Sequence, residues 1–157
     1  MKKILFILTF LITFFNVLNA NILQEAINNA KDGAILKLSA GVYEGNIVIN
    51  KPISIIGKED GVIIKGDGNG TVVKILSSYV TFKNLTVKNS GNRHDLLDTG
   101  ILIKEVKHVE VSNNKVIDCL FGIDMQIVTN SIVKNNYIQS FDTDLGLRGD
   151  GLRVWYS

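Results

Sequence analysis

Residues 100–119 read GILIKEVKHVEVSNNKVIDC, residues 122–141 read GIDMQIVTNSIVKNNYIQSF, and the two match without a gap at a period of 22 residues. Gly100 falls on Gly122, Ile101 on Ile123, Ile103 on Met125, Val111 on Val133 and Val116 on Ile138; Asn113 and Asn114 fall on Asn135 and Asn136. Each copy consists of short alternating β-branched runs broken by Asn or Gly, which is strand chemistry interrupted by turns. Three strands of four or five residues with three turns need about this many residues to go once around a triangular coil, with successive coils about 4.8 Å apart. The repeat therefore predicts a parallel β-helix. An antiparallel sandwich also has many short strands, but it calls for hairpin turns at irregular spacing.

Working upstream, VTFKNLTVKNSG from Val80 matches VEVSNNKVIDC from Val109 at an offset of 29, which is the repeat plus a seven-residue insert, NRHDLLD. An insert in a coiled repeat bulges from one turn and leaves its neighbours in place. Before it, residues 34–76 hold five or six short Ile/Val runs separated by Gly, Asn and Asp. Alternation turns Ile101, Ile103, Val111, Val116, Ile123, Met125, Val133 and Ile138 inward, and Asn114 over Asn136 is expected to form an amide ladder at a turn. In NILQEAINNAKDG, from Asn21, the residues Ile22, Leu23, Ala26, Ile27 and Ala30 have helical spacing, with Lys31 and Gly33 as stop signals. A short α-helix here would cap the open end of the coil, whose apolar floor and unpaired strand edges need cover. At the other end the chain stops at GLRVWYS, in mid-strand, so the expectation is the N-terminal part of a longer protein whose β-helix is incomplete at its C-terminal end.

Residues 1–20 read as a cleavable secretory signal: Lys2 and Lys3, an apolar run from Ile4 to Phe15, then VLNA with small Ala20 before the cut. That run is shorter than the roughly 20 residues of a membrane-spanning helix, and the mature chain, residues 21–157, holds no longer one. Taking the two signal lysines from the 17 basic residues leaves 15 against 15 acidic ones, so no basic field draws in nucleic acid. One cysteine makes no internal disulfide.

Few residues offer chemistry. Cys119 aligns with Phe141, at a position that takes small or large apolar residues, so packing is the simplest reading, with a soft-metal ligand paired with Met125 as the alternative. His94, Asp95 and Asp98 lie on the insert, where a metal or partner contact competes with a plain solvated loop. His108 aligns with Asn130 at a turn. In FDTDLG, Asp142 and Asp144 are a carboxylate pair of the kind glycosidases use, but on a segment that interrupts the repeat. The Arg148-Gly149-Asp150 triplet is better parsed as part of GDGLRVW, in which Gly151 restarts the repeat and Arg153 and Trp155 fall on a new strand. A polysaccharide lyase or hydrolase would show a row of charged residues on one outer face. Aligned positions set Glu110 on Ile132, Lys115 on Tyr137 and Asp124 on Gly146 or a loop residue, which leaves no acidic row and predicts a protein that is not an enzyme.

The chain resembles the NosD family, periplasmic maturation proteins of nitrous oxide reductase, through LQEAINNAKDGAILKLSAGVYEGNIVINKPISIIG near the start, DCLFGI from Asp118 and RGDGLRVW from Arg148. The first of these is shared with carbohydrate-binding and sugar-hydrolysing β-helices; the other two are more particular. The resemblance implies a right-handed parallel β-helix in the periplasm that works with the membrane subunit of an ABC-type transporter in assembling the copper–sulfur centre of nitrous oxide reductase. It implies an accessory factor associated with copper, and assigns no ligand residues. A carbohydrate-binding or polysaccharide-cleaving protein is the alternative.

Overall fold

The structure, a computed structural model, describes residues 22–157; the signal-peptide reading falls outside the described residues. After one helix, α1 (Ile22–Asn29), the chain winds through five coils of three strands. The first two coils are β1 (Ile35–Leu38), β2 (Gly41–Glu44) and β3 (Ile47–Ile49), then β4 (Ser54–Gly57), β5 (Val62–Lys65) and β6 (Val73–Ile75). The third holds β7 (Thr81–Lys83), β8 (Thr86–Lys88) and β9 (Thr99–Lys107), and the fourth β10 (Glu110–Ser112), β11 (Lys115–Cys119) and β12 (Phe121–Thr129). The last has β13 (Ile132–Lys134), β14 (Tyr137–Ser140) and β15 (Leu152–Trp155). First strands stack into sheet A, second into sheet B and third into sheet C, all parallel. Among the described residues no helix is long and apolar enough to cross a membrane.

The core is a set of apolar columns running through the coils. In sheet C one column is Ile47, Val73, Ile101, Ile123 and Leu152, and the next is Ile49, Ile75, Ile103, Met125 and Val154. Sheet A supplies Leu36, Ile55, Phe82, Val111 and Val133; sheet B supplies Tyr43, Ile64, Val87, Val116 and Ile138. The expected pairs, Ile101 with Ile123, Ile103 with Met125, Val111 with Val133 and Val116 with Ile138, are the observed register. Val133 and Ile138, with no further coil over them among the described residues, are only partly buried, as is Met125 beneath the half-exposed Val154.

The paired asparagines have separate tasks. The first, Asn113 or Asn135, takes the left-handed backbone at the A–B corner (φ 55° in both), as Asn84 does one coil earlier (φ 60°), a conformation Asn tolerates better than branched residues. The second forms the ladder: both the backbone N–H and the Nδ2 of Asn114 donate to Asn136 Oδ1 at 3.0 Å, and Asn114 Oδ1 accepts from Leu85 N–H at 3.1 Å. At the C–A corner the left-handed positions are Tyr79, His108 and Asn130; the His108 ring stacks on Tyr79 with centroids 4.9 Å apart.

The helix closes the start of the coil as expected, burying Leu23 and Ile27. It also covers a strand edge. Gln24 Nε2 donates to the Val48 carbonyl at 3.1 Å and Gln24 Oε1 accepts from Val48 N–H at 2.7 Å, so one amide side chain does for β3 what a neighbouring strand would do. Lys51 Nζ donates to the Asn28 and Ala30 carbonyls at the helix C-terminus, and Gly33 makes the turn at φ +79°.

The stacking offset is not constant. It is 19 from Ile35 to Ser54, 22 from Glu110 to Ile132, and 29 from Thr86 to Lys115. Most of the variation sits at the B–C corner, which is a single residue, Leu120, between β11 and β12, but residues 89–98 between β8 and β9 and residues 141–151 between β14 and β15.

Candidate functional site

The two long B–C loops stand on either side of the tight corner at Leu120. They meet across it: His94 Nε2 lies 3.0 Å from the Leu147 carbonyl oxygen, and must carry a proton to bond there, while the His94 ring stands edge-on to Phe121 at 5.7 Å. Between the loops is a cleft of about 360 Å³ lined by Asn92, His94, Leu120, Phe141, Thr143 and Leu147.

Each loop has its own fastening. Asp98 is turned inward at 2% exposure, where its Oδ2 accepts from Arg93 N–H at 3.0 Å and lies 3.6 Å from Arg93 Nε. That carboxylate holds the first loop and has no face for a metal or partner, in contrast to the exposed Asp95. In the second loop a short 3₁₀ turn, Leu145–Leu147, follows Asp144; Arg148 Nε donates to the Thr143 carbonyl at 2.8 Å, and its Nη2 lies 4.0 Å from the exposed Asp142.

The return strand places the remaining candidates. Gly151 sits on Gly122, with Gly122 N–H donating to the Asp150 carbonyl and Ile123 N–H to the Gly151 carbonyl. Arg153 is thereby the register partner of Asp124, and Trp155 of Gln126. This corrects the expected pairing of Asp124 with Gly146 or a loop residue: residues 141–150 leave the coil altogether, and the repeat resumes only at Gly151. The outward columns of sheet C then read Lys74, Leu102, Asp124, Arg153 and, beside it, Lys104, Gln126, Trp155. A charged pair that the aligned sequence had lost is restored.

The Arg153 guanidinium lies between two rings, 5.0 Å from the Phe121 centroid and 5.3 Å from that of Trp155, with its Nε 3.6 Å from Asp150; the side chain is 12% exposed. Asp124 is 0% exposed. Its Oδ2 accepts from Gln126 Nε2 at 2.8 Å, but its Oδ1 has no hydrogen-bond partner, and no ion pair closes to Arg153. An unsatisfied buried acceptor costs about 1–3 kcal/mol, and more when charged, so this oxygen is a feature to be explained. Asp124, Gln126 and Phe121 are the residues that sequence reasoning passed over. The Gly122–Gly151 match, carried two residues further, would have found the first of them.

Cys119 is 1% exposed and part of the apolar core, with its thiol donating to the Ile117 carbonyl at 3.3 Å. Its register neighbour is Ser140 and not Phe141, because the ladder shifts between Ile117 and Cys119: Asp118 takes a left-handed conformation (φ 50°) and bulges out of the strand. Desolvation pushes the thiol up to about 11. At pH 8 about one thiol in a thousand is then ionised, and the thiolate is the reactive form. Alkylation by iodoacetamide at pH 8 should accordingly be at least a hundredfold slower in the native protein than in urea; equal rates would place Cys119 at the surface. Among the described residues no three His, Cys, Asp or Glu side chains gather into a group that could hold a metal ion.

The chain is a right-handed parallel β-helix protein whose candidate site lies at one corner and the adjoining outer face of sheet C. Along its sequence it is similar to a protein described as a probable ABC transporter binding protein, NosD, from Pseudomonas aeruginosa: 26% identical over 120 residues, covering 75% of this chain and 28% of the relative. The chain thus spans little more than a quarter of that relative's length. No family model matches it. Among solved structures, a pectin methylesterase from Yersinia enterocolitica superposes with a TM-score of 0.53 at 16% identity, over 83% of this chain and 56% of that one, a likeness of fold alone.

Proposed function

We propose that this protein is a periplasmic accessory factor of an ABC-type transporter that serves the maturation of nitrous oxide reductase, where the copper–sulfur centre is the reductase's cargo and not a cofactor of this chain. The observation that carries the reading is spatial. The two particular segments of the resemblance, DCLFGI and GDGLRVW, lie about a coil apart in sequence yet stack on each other, Gly122 on Gly151 and Ile123 on Leu152. What the resemblance rests on is therefore one contiguous patch across two neighbouring coils, largely buried along DCLFGI, and the similarity to the Pseudomonas protein extends along most of the chain.

An accessory role without catalysis agrees with the outer face of sheet C, whose two columns hold a single carboxylate, Asp124. Glycoside hydrolysis uses two, about 5–9.5 Å apart across the bond to be cut. Asp142 and Asp144 stand on an exposed loop. Deleting the coding sequence in its own host should leave nitrous oxide reductase exported but deficient in its copper–sulfur centre, as read by copper content and activity of the purified enzyme. A fully loaded reductase from the deletion strain would overturn the reading.

A further inference from the structure

The B–C corner of the second coil, residues 66–72, reads GDGNGTV and holds the chain's one Asn-Gly pair, Asn69 and Gly70. Gly68 and Gly70 take φ +83° and +65°, so the corner is built on glycine's conformational freedom. Asn69 is exposed; neither its side-chain amide nor the N–H of Gly70 makes a hydrogen bond among the described residues. At the corner asparagines the following N–H is occupied. Leu85 N–H, after Asn84, donates to Asn114 Oδ1, and Asn114 N–H, after Asn113, donates to Asn136 Oδ1. The difference matters because the backbone nitrogen after an asparagine, once it gives up its proton, is a nucleophile toward the side-chain amide carbon. Two neighbours favour that step at Gly70. Asn46 Nδ2 donates to the Asn69 carbonyl oxygen at 2.8 Å and draws electron density from the peptide unit to which the Gly70 nitrogen belongs. Gly91, on the next coil, leaves that nitrogen room, since a Cβ there would stand 2.5 Å from it.

We propose that Asn69 is a self-modification site, converted to aspartate and isoaspartate in the folded protein, and that conversion frees the loop that carries His94. The Gly70 nitrogen bonds to Asn69 Cγ as the Cγ–Nδ2 bond breaks, and ammonia leaves with the proton from Gly70, closing a succinimide. Water then opens the ring. Attack at Cγ gives aspartate; attack at the backbone carbonyl carbon gives isoaspartate, in which the main chain runs through the former side chain and is longer by one carbon. Either product sets a new carboxylate beside Asp67, whose Oδ1 accepts from Asn69 N–H at 2.9 Å and from Asn46 Nδ2 at 3.0 Å, and so strains the contacts that shape the corner. The Gly70 carbonyl accepts from Gly91 N–H at 2.9 Å, at the root of the loop formed by residues 89–98. Displacing Gly70 releases that root, and with it the wall of the cleft that holds His94, while the strands on either side keep their ladders. Because the ammonia is lost, the change runs one way. This inference does not depend on the transporter reading.

Peptide mapping by mass spectrometry, after incubation at pH 8 in buffer and in urea, measures the first half. The rate at Asn69 in the folded protein should stay within about threefold of its rate in urea, with isoaspartate in the product detected by enzymatic methyl transfer. Asn69→Gln, whose longer side chain closes the ring far more slowly, should stay unmodified over the same time. The second half is read by amide hydrogen exchange: converted protein, separated by ion exchange, should exchange the Gly91 amide at least tenfold faster than fresh protein, and aged Asn69→Gln should not. Urea unfolding of the same samples separates a loosened loop from a lost fold. Folding that slows Asn69 by more than about threefold, or converted protein whose Gly91 amide exchanges less than tenfold faster than in fresh protein, would overturn the proposal.

Discussion

Replacing Ile123 by alanine should lower the free energy of unfolding by about 2–5 kcal/mol, the range for deleting a buried aliphatic side chain that its surroundings cannot close over. Ile123 has no exposed surface and lies between Ile101 on the coil before and Leu152 on the coil after, in a column that the strand register holds rigidly in line. Collapse into the void would require the coils to approach, and their hydrogen-bonded spacing fixes them. Leu152→Ala, one rung further on, should cost under about 1 kcal/mol, because that side chain is half exposed and has less apolar contact to lose. Urea unfolding followed by far-ultraviolet circular dichroism measures both. Equal losses at the two positions, or none at Ile123, would mean that the column is not where the register puts it.

The second large effect is expected from a single added methyl group. A Cβ on Gly122 would strike the Gly151 carbonyl oxygen and Ile138 Cγ2, and one on Gly100 would strike Val116 Cγ1 and press on the Gly122 carbonyl and the Cys119 sulfur. Two of these obstacles are backbone atoms of the adjacent coil, which can yield only by breaking the ladder. Gly122→Ala should therefore destabilise by about 3 kcal/mol or more, at the upper end of what overpacking costs. It should also undock β15, seen as a red shift of Trp155 emission. Gly151→Ala is the control: a Cβ there meets only Ile138 Cγ2 at 3.8 Å, an ordinary contact, and should change stability by less than about 1 kcal/mol. A Gly122→Ala protein as stable as its parent would show that the coils pack less closely at this corner than described.

These two sites also mark how far the sequence could be read. The inward columns were legible because an inward residue must match its neighbour above and below, and that demand writes itself into the chain as a repeat. The corner asparagines were legible for a similar reason, being tied to a backbone conformation few residues accept. What a gapless alignment cannot express is a bulge, since Asp118 shifts the ladder by one residue and sends Cys119 to Ser140 where equal counting sends it to Phe141. The site was hidden by a different cause. Outward residues answer to solvent and loops and not to the residue one coil away, so nothing in their identities betrays that Asp124 and Arg153 are neighbours. Only the position of Gly151 does, and the ten residues that loop out before it obscure the count.

The exchange of backbone hydrogen bonds solely between one coil and the next has a mechanical consequence. A globular core resists a pull as a whole, but here the backbone hydrogen bonds of each strand reach only the two neighbouring rungs. At the start of the coil, α1 and the Gln24 amide lock the first rung; at the other end β13, β14 and β15 have one open edge each among the described residues. Tension across the coils peels rather than shears, lifting one rung from the next, as β15 from β12 or β14 from β11, and every rung surrendered leaves the one beneath it in the same condition. The molecule behaves as a spool, yielding thread a turn at a time, with its last turn pinned by a glutamine.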